Sequence, residues 1–164
     1  MIVKLNKNYL GEYKNQFISV LMNIKFISEE FAGRIYEEVK TDIDHYSTYS
    51  FLYFKNDVLK GMILAKPVGN YIFGKKTCEV KYLALDRDCR GKNVASSLFG
   101  RLKDECRETF DYIYLTVYEN NERGIAFYRK MGFMRYVINN EPRIVIRDGG
   151  TLIEHTDICF FLKL

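Results

Sequence analysis

Between residues 78 and 133 an apolar strand leads into Asp86-Arg87-Asp88-Cys89-Arg90-Gly91-Lys92-Asn93-Val94-Ala95, which opens directly into an amphipathic helix. Such a loop brings together unpaired backbone N–H groups, the positive end of a helix dipole and side-chain cations, so it is a place to hold a phosphate. A second signal lies further along the chain. After a strand over 112–117 comes Asn120-Asn121-Glu122-Arg123-Gly124-Ile125-Ala126-Phe127-Tyr128-Arg129-Lys130-Met131-Gly132-Phe133, a short helix carrying a Tyr and stopped by a Gly.

The rest of the chain narrows the function classes. At 164 residues and 48% hydrophobic, residues 1–164 read as a single domain with a real core. The charge of +4, from 25 basic and 21 acidic residues, is too mild and dispersed for a nucleic-acid-binding face and suits a small anionic ligand. Four cysteines (Cys78, Cys89, Cys106, Cys159) have neither CxxC spacing nor a companion His cluster, so no metal site and no disulfide framework is expected. They read as reduced thiols of a cytoplasmic protein. The first residues lack a secretory hydrophobic region, and no apolar run approaches the ~18 residues of a membrane span, so no membrane partner is expected.

Hydrophobic spacing predicts a strand over 2–5, a helix from Tyr9 through Ile24, and a second helix with Phe31, Ile35, Val39 and Ile43 on one face behind a Ser28 cap. Runs over 49–54 and 58–65 flank Lys55-Asn56-Asp57 as a hairpin. A strand over 77–85, a helix with Val94, Leu98, Leu102 and Cys106 on its stripe, and the 112–117 strand should form a parallel crossover. A helix over 122–131, a strand over 133–138, two arms around a Gly turn over 144–153 and a last strand over 156–164 complete the chain. The order is that of a mixed α+β domain.

The two signals together resemble the acyl-CoA-binding core of the GNAT superfamily of N-acetyltransferases, and the element order is similar to that fold along nearly the whole chain. The resemblance implies a central mixed, mostly antiparallel sheet flanked by helices. It also implies an acetyl-CoA-dependent N-acyltransferase that moves the acetyl group to a primary amine by direct attack in a ternary complex. The family segment Arg/Gln-x-x-Gly-x-Gly/Ala grips the CoA pyrophosphate through backbone amides. Arg90, Gly91, Lys92, Asn93, Val94 and Ala95, with Ser96 beyond, match at the first and last positions and depart at Asn93, where Gly is usual. Asn is the residue that best tolerates positive φ after Gly, so the departure is chemically mild. An ordinary helix start with solvated Arg and Lys is the alternative.

By position, Leu83 and Leu85 are the residues whose backbone the resemblance pairs with the pantetheine arm. Glu79 is the general base the resemblance implies. Four residues before Leu83, it shares a face with it if the strand is regular, and ~13 Å of separation at ~3.3 Å per residue favours a water relay. A surface carboxylate paired with Lys81 or Lys76 is the competing reading. A base matters because an amine with pKa ~10.4 is neutral about once in 2,500 molecules at pH 7, a cost of roughly 4–5 kcal/mol. Tyr128 falls where the family motif, matched here by Asn121, Gly124, Phe127, Tyr128, Gly132 and Phe133, carries a Tyr near the CoA sulfur. A half-buried helix Tyr is the alternative in a chain with 13 Tyr. Asn121 either caps that helix or bonds the pantetheine arm.

The acceptor is open between a small-molecule and a peptide amine, and a homodimer is left open. Other classes compete: a noncatalytic acyl-CoA-binding or regulatory module of the same fold, and a nucleotide-binding protein using residues 87–95. The second lacks both GxxxxGK[ST] and GxGxxG.

Overall fold

The computed structural model describes the backbone of residues 1–137, 143–148 and 151–164, with side chains over 1–137 and 156–164. The chain opens with β1 (Ile2–Lys4), α1 (Lys7–Glu12) and α2 (Lys14–Leu21). The single helix expected from Tyr9 onward is broken at Tyr13 (φ −106°, ψ 23°). The break lets Tyr9 and Tyr13 both pack on Phe54, with ring centroids 5.7 and 4.8 Å away, a tertiary contact that outweighs continuous helix propensity. In α3 (Glu29–Thr41) the Ser28 hydroxyl accepts from Phe31 N at 3.2 Å, the expected cap. A further helix, α4 (Ile43–Tyr49), starts after a break at Asp42 and takes up Tyr49, which the sequence pattern assigns to a strand.

Next come β2 (Phe51–Lys55) and β3 (Val58–Asn70), joined by Asn56 (φ 50°) and Asp57 (φ 58°) in a tight hairpin. Two successive left-handed residues suit the right-handed twist of the flanking strands. The remaining elements are β4 (Lys76–Leu85), α5 (Val94–Cys106), β5 (Tyr112–Tyr118), α6 (Glu122–Lys130), β6 (Met134–Tyr136), β7 (Arg143–Asp148) and β8 (Thr151–Lys163). The second expected arm and the last expected strand are one continuous β8. The Gly turn at 149–150 and residue 138 lie outside the described residues.

The sheet runs β1-β2-β3-β4-β5-β8-β6, with β7 paired to the first half of β8. Its described pairings are antiparallel except β4 with β5, the expected crossover through α5. The helices α1 to α4 cover one face, packing on Leu52, Phe54, Met62, Leu64 and Ala84. On the other face α5 and α6 pack on Ile63, Cys78, Val80, Ile113, Leu115 and Phe160.

Two features of β4 shape the surface between these layers. Its parallel pairing with β5 ends at Val80↔Leu115, although both strands continue, to Leu85 and Tyr118. Its pairing with β3 jumps from Leu64↔Tyr82 to Ala65↔Val80, so Lys81 is an extra residue, a β-bulge. The bulge inverts the alternation. Cys78 and Val80 face α5, and so do Leu83 and Leu85, whereas Tyr82 and Ala84 face α1 to α4. Glu79, beside Val80, therefore lies on the face opposite Leu83, and the shared face expected of a regular strand is not observed.

Beside the bulge, β3 is supported by a side chain just before β2 begins. The buried Ser50 hydroxyl donates to Ala65 O at 3.2 Å and accepts from Ala65 N at 3.0 Å. Ser50→Ala leaves both groups buried without a partner and should cost about 1–3 kcal/mol, read as a lower urea midpoint at unchanged slope. A midpoint within error of wild type would mean that water takes over both bonds.

Candidate functional site

Where β4 and β5 part, a cleft of 680 Å³ opens. Its walls are Leu83 and Leu85 of β4, Arg90 and Gly91 of the loop, Ala95 of α5, and Tyr118 at the end of β5. Asn120, Asn121, Arg123, Gly124, Phe127 and Tyr128 close it on the α6 side, and Asn23 to Phe26, between α2 and α3, on the other. The size is that of a small-molecule site.

One end of the cleft is built for an anion. Gly91 (φ 74°) and Asn93 (φ 59°, ψ 7°) are both left-handed, the conformation that Asn tolerates best after Gly. Asn93 is the N-cap of α5 but makes no side-chain cap bond, and the first intrahelical bond is Ser97 N to Asn93 O at 2.9 Å. The N–H groups of Val94, Ala95 and Ser96 therefore have no helical acceptor, at the positive end of a 13-residue helix. The carboxylates of the loop are taken: Lys60 Nζ lies 2.7 Å from Asp86 and 3.8 Å from Asp88. The Lys60 hydrogen bond holds the Asp86 carboxyl below its ordinary pKa. Among the described residues no carboxylate pairs with Arg87, Arg90 or Lys92, so the end of the cleft is left cationic.

The other end carries the α6 residues. The Asn121 carbonyl oxygen accepts from Gly124 N at 2.9 Å, capping α6. The cap uses Oδ1, and Asn121 is at the same time one of the residues that line the cleft. The Tyr128 ring sits edge-on against Phe127 and Phe133, at 5.3 and 5.6 Å. Burial pushes its phenol up to about 12, so it keeps its proton at neutral pH.

Of the residues singled out in the sequence, Leu83, Leu85, Arg90, Gly91, Ala95, Asn121 and Tyr128 line the cleft. Val94 is buried in the core against the sheet, and Lys92, Asn93 and Ser96 are not among the residues that line the cleft. Glu79 is not on the cleft wall; its carboxylate is 3.5 Å from Lys81 Nζ, the ion pair named in the competing reading. The 23–26 segment carries no sequence signal. Its Phe26 is left-handed (φ 69°), a conformation that costs a bulky residue about 1–2 kcal/mol and that no residue pattern announces.

The chain matches the acetyltransferase (GNAT) family over residues 17–133, and it belongs to that family. Solved structures share its fold end to end at low identity. The ribosomal-protein-alanine N-acetyltransferase of Brucella melitensis is 15% identical with a TM-score of 0.69, over 100% of this chain and 99% of that one. PaiA N-acetyltransferase of Thermoplasma acidophilum, solved with coenzyme A, is 20% identical with a TM-score of 0.69, over 100% and 98%. Naa50 of Arabidopsis thaliana, solved with the bisubstrate analogue CoA-Ac-MVNAL, is 22% identical with a TM-score of 0.62, over 97% and 96%. No curated protein sequence matches the chain. No helix of the described residues is long and apolar enough to cross a membrane.

The Asn121 cap demands a glycine at 124, where an added Cβ would lie 2.6 Å from Asn121 Nδ2. Gly124→Ala should therefore forfeit the ~1 kcal/mol usually gained by Ala in a helix and lose about 1 kcal/mol of capping as well. Thermal unfolding checks it: Gly124→Ala and Asn121→Ala should lower Tm by similar amounts, and a Gly124→Ala Tm above wild type would show that the Asn side chain moves aside without loss.

Proposed function

We propose that this chain transfers the acetyl group of acetyl-CoA to a primary amine by direct attack in a ternary complex. The observation that carries the proposal is the juxtaposition of an uncapped, left-handed helix entry with a parted strand pair on one cleft. Acetyl-CoA supplies the acyl group and a thiolate leaving group. The amides from Gly91 to Ser96 bind its pyrophosphate, aided by the charges of Arg90 and Lys92. The backbone of Leu83 and Leu85 orients the pantetheine arm along the edge of β4, which has no β5 pairing past Val80 among the described residues. Asn121 donates its amide to the same arm, and Tyr128 donates its phenolic proton in a hydrogen bond to the sulfur.

Glu79 enters the proposal as the base that removes the amine proton through water. Its place supports that assignment in one respect: the bulge puts it on the face of β4 opposite Leu83, so amine and coenzyme are served from opposite sides of the strand. The four cysteines are buried and none lines the cleft. Hydrogen bonding with Cys106, then burial, pushes the Cys78 thiol up, which makes a poor nucleophile and supports direct attack. A cytoplasmic location is part of the reading and rests on those free thiols. The acceptor class includes peptide amines, which the MVNAL analogue of Naa50 and the Gag peptide bound to the NatC complex exemplify in structures of like fold.

CoA should raise the melting temperature, and Ala95→Glu, which sets a carboxylate where the pyrophosphate lies, should abolish the shift. An undiminished shift in Ala95→Glu rules out this placement. With an active acceptor in hand, Tyr128→Phe should lower kcat by roughly 10²–10⁴ and leave CoA affinity nearly unchanged, whereas wild-type turnover would remove Tyr128 from the mechanism.

A further inference from the structure

Arg90 does more than present charge to the cleft. Its Nη2 donates to the carbonyl oxygen of Asn23 at 2.8 Å, a bond across 67 residues that fastens the phosphate loop to the α2–α3 connection. That connection is held at its far end by Ile27, whose side chain is in the core and whose N–H bonds Ile24 O at 3.2 Å. Between these anchors Phe26 adopts its left-handed conformation and rests edge-on against Tyr118, centroids 5.7 Å apart and planes at 83°. The Lys25 ammonium lies 4.6 Å from the Phe26 ring centroid. Asn23 to Phe26 and Tyr118 form the wall facing the α6 side of the cleft.

A left-handed aromatic in a segment fastened to the phosphate loop by an exposed hydrogen bond is a poised element, whose conformation persists only while its surroundings over-determine it. Resting on the coenzyme assignment made for this cleft, we propose that Arg90 is a positioning residue that couples coenzyme occupancy to the wall past which the amine enters. The guanidinium has five donors in a rigid fork, so one arm holds the Asn23 carbonyl while the others face the pyrophosphate. A bound pyrophosphate pins the fork, the fork pins Asn23, and Phe26 is held on Tyr118. The acceptor then meets a finished wall only after the coenzyme is in place. Because such coupling is reciprocal, an acceptor that packs on Phe26 also tightens coenzyme binding. A lysine at 90 keeps the charge toward phosphate but lacks the fork, so it separates binding from coupling.

Hydrogen exchange on the full chain with CoA as the probe tests this. In wild type, saturating CoA should slow amide exchange both at 94–97 and at 24–28, the latter by about fivefold or more. In Arg90→Lys, CoA should still raise Tm and protect 94–97, while 24–28 exchange as fast as without CoA. Arg90 is exposed and supports no core, so the variant folds. Protection of 94–97 without any at 24–28 in wild type overturns the coupling, as does equal protection of 24–28 in both proteins. Absence of any Tm shift or protection in wild type instead removes the coenzyme assignment, and this inference with it.

Discussion

The extra residue at Lys81 is the constraint on which the site depends. A strand alternates its side chains, so a regular β4 would commit Glu79 and Leu83 to one face. One inserted residue gives β4 two registers. Before it, Cys78 and Val80 hold α5 against the sheet; after it, Leu83 and Leu85 do so at the cleft, while Tyr82 and Glu79 occupy the opposite face. The insertion also falls where the pairing of β4 with β5 stops. A bulge raises local twist, which is consistent with the two strands diverging just beyond it.

The anion end depends on backbone rather than on the cations that first draw the eye. Arg87, Arg90 and Lys92 are exposed, and such charges are well screened by salt. Three N–H groups without helical acceptors, fixed at a helix start, are already oriented, so ligand binding orders little that is not ordered already. Lys60, 2.7 Å from Asp86 and 3.8 Å from Asp88, offsets the two carboxylates of the same loop and leaves its cations unopposed.

Local signals were legible where the residues themselves meet a backbone requirement. Asn56-Asp57 in left-handed conformation, the Ser28 cap, the Asn93 entry to α5 and the Asn121 cap each arise from a side chain that tolerates or satisfies one backbone geometry. What was not legible is set by distant contacts. The break at Tyr13 answers to Phe54, 41 positions away in sequence, and the bulge at Lys81 leaves no mark in composition because any residue can occupy it. The stripe Phe31, Ile35, Val39 and Ile43 hid the break at Asp42, since the apolar spacing continues across it into α4. In the cleft, the side formed by Arg90, Gly91, Ala95, Asn121 and Tyr128 was readable because these motif residues line it. The 23–26 wall was not, because its shape comes from a strained Phe and a backbone carbonyl that no residue type encodes.

The physical state of Tyr128 narrows its role. A phenol pushed up to about 12 by burial is a weaker acid than a thiol at its ordinary pKa near ~8.5. Full proton transfer to a departing thiolate would run uphill unless the cleft raised the basicity of sulfur in step. A hydrogen bond has no such requirement: it strengthens as negative charge develops on sulfur and is weak against the neutral thioester, so it favours the transition state over the ground state. Phe127 and Phe133, which pack on the ring, hold the hydroxyl in place without competing for its proton. The same burial that makes Tyr128 a poor acid thus keeps its phenol protonated, as the proposed hydrogen bond to sulfur requires, across the pH range in which an amine and a carboxylate base would operate.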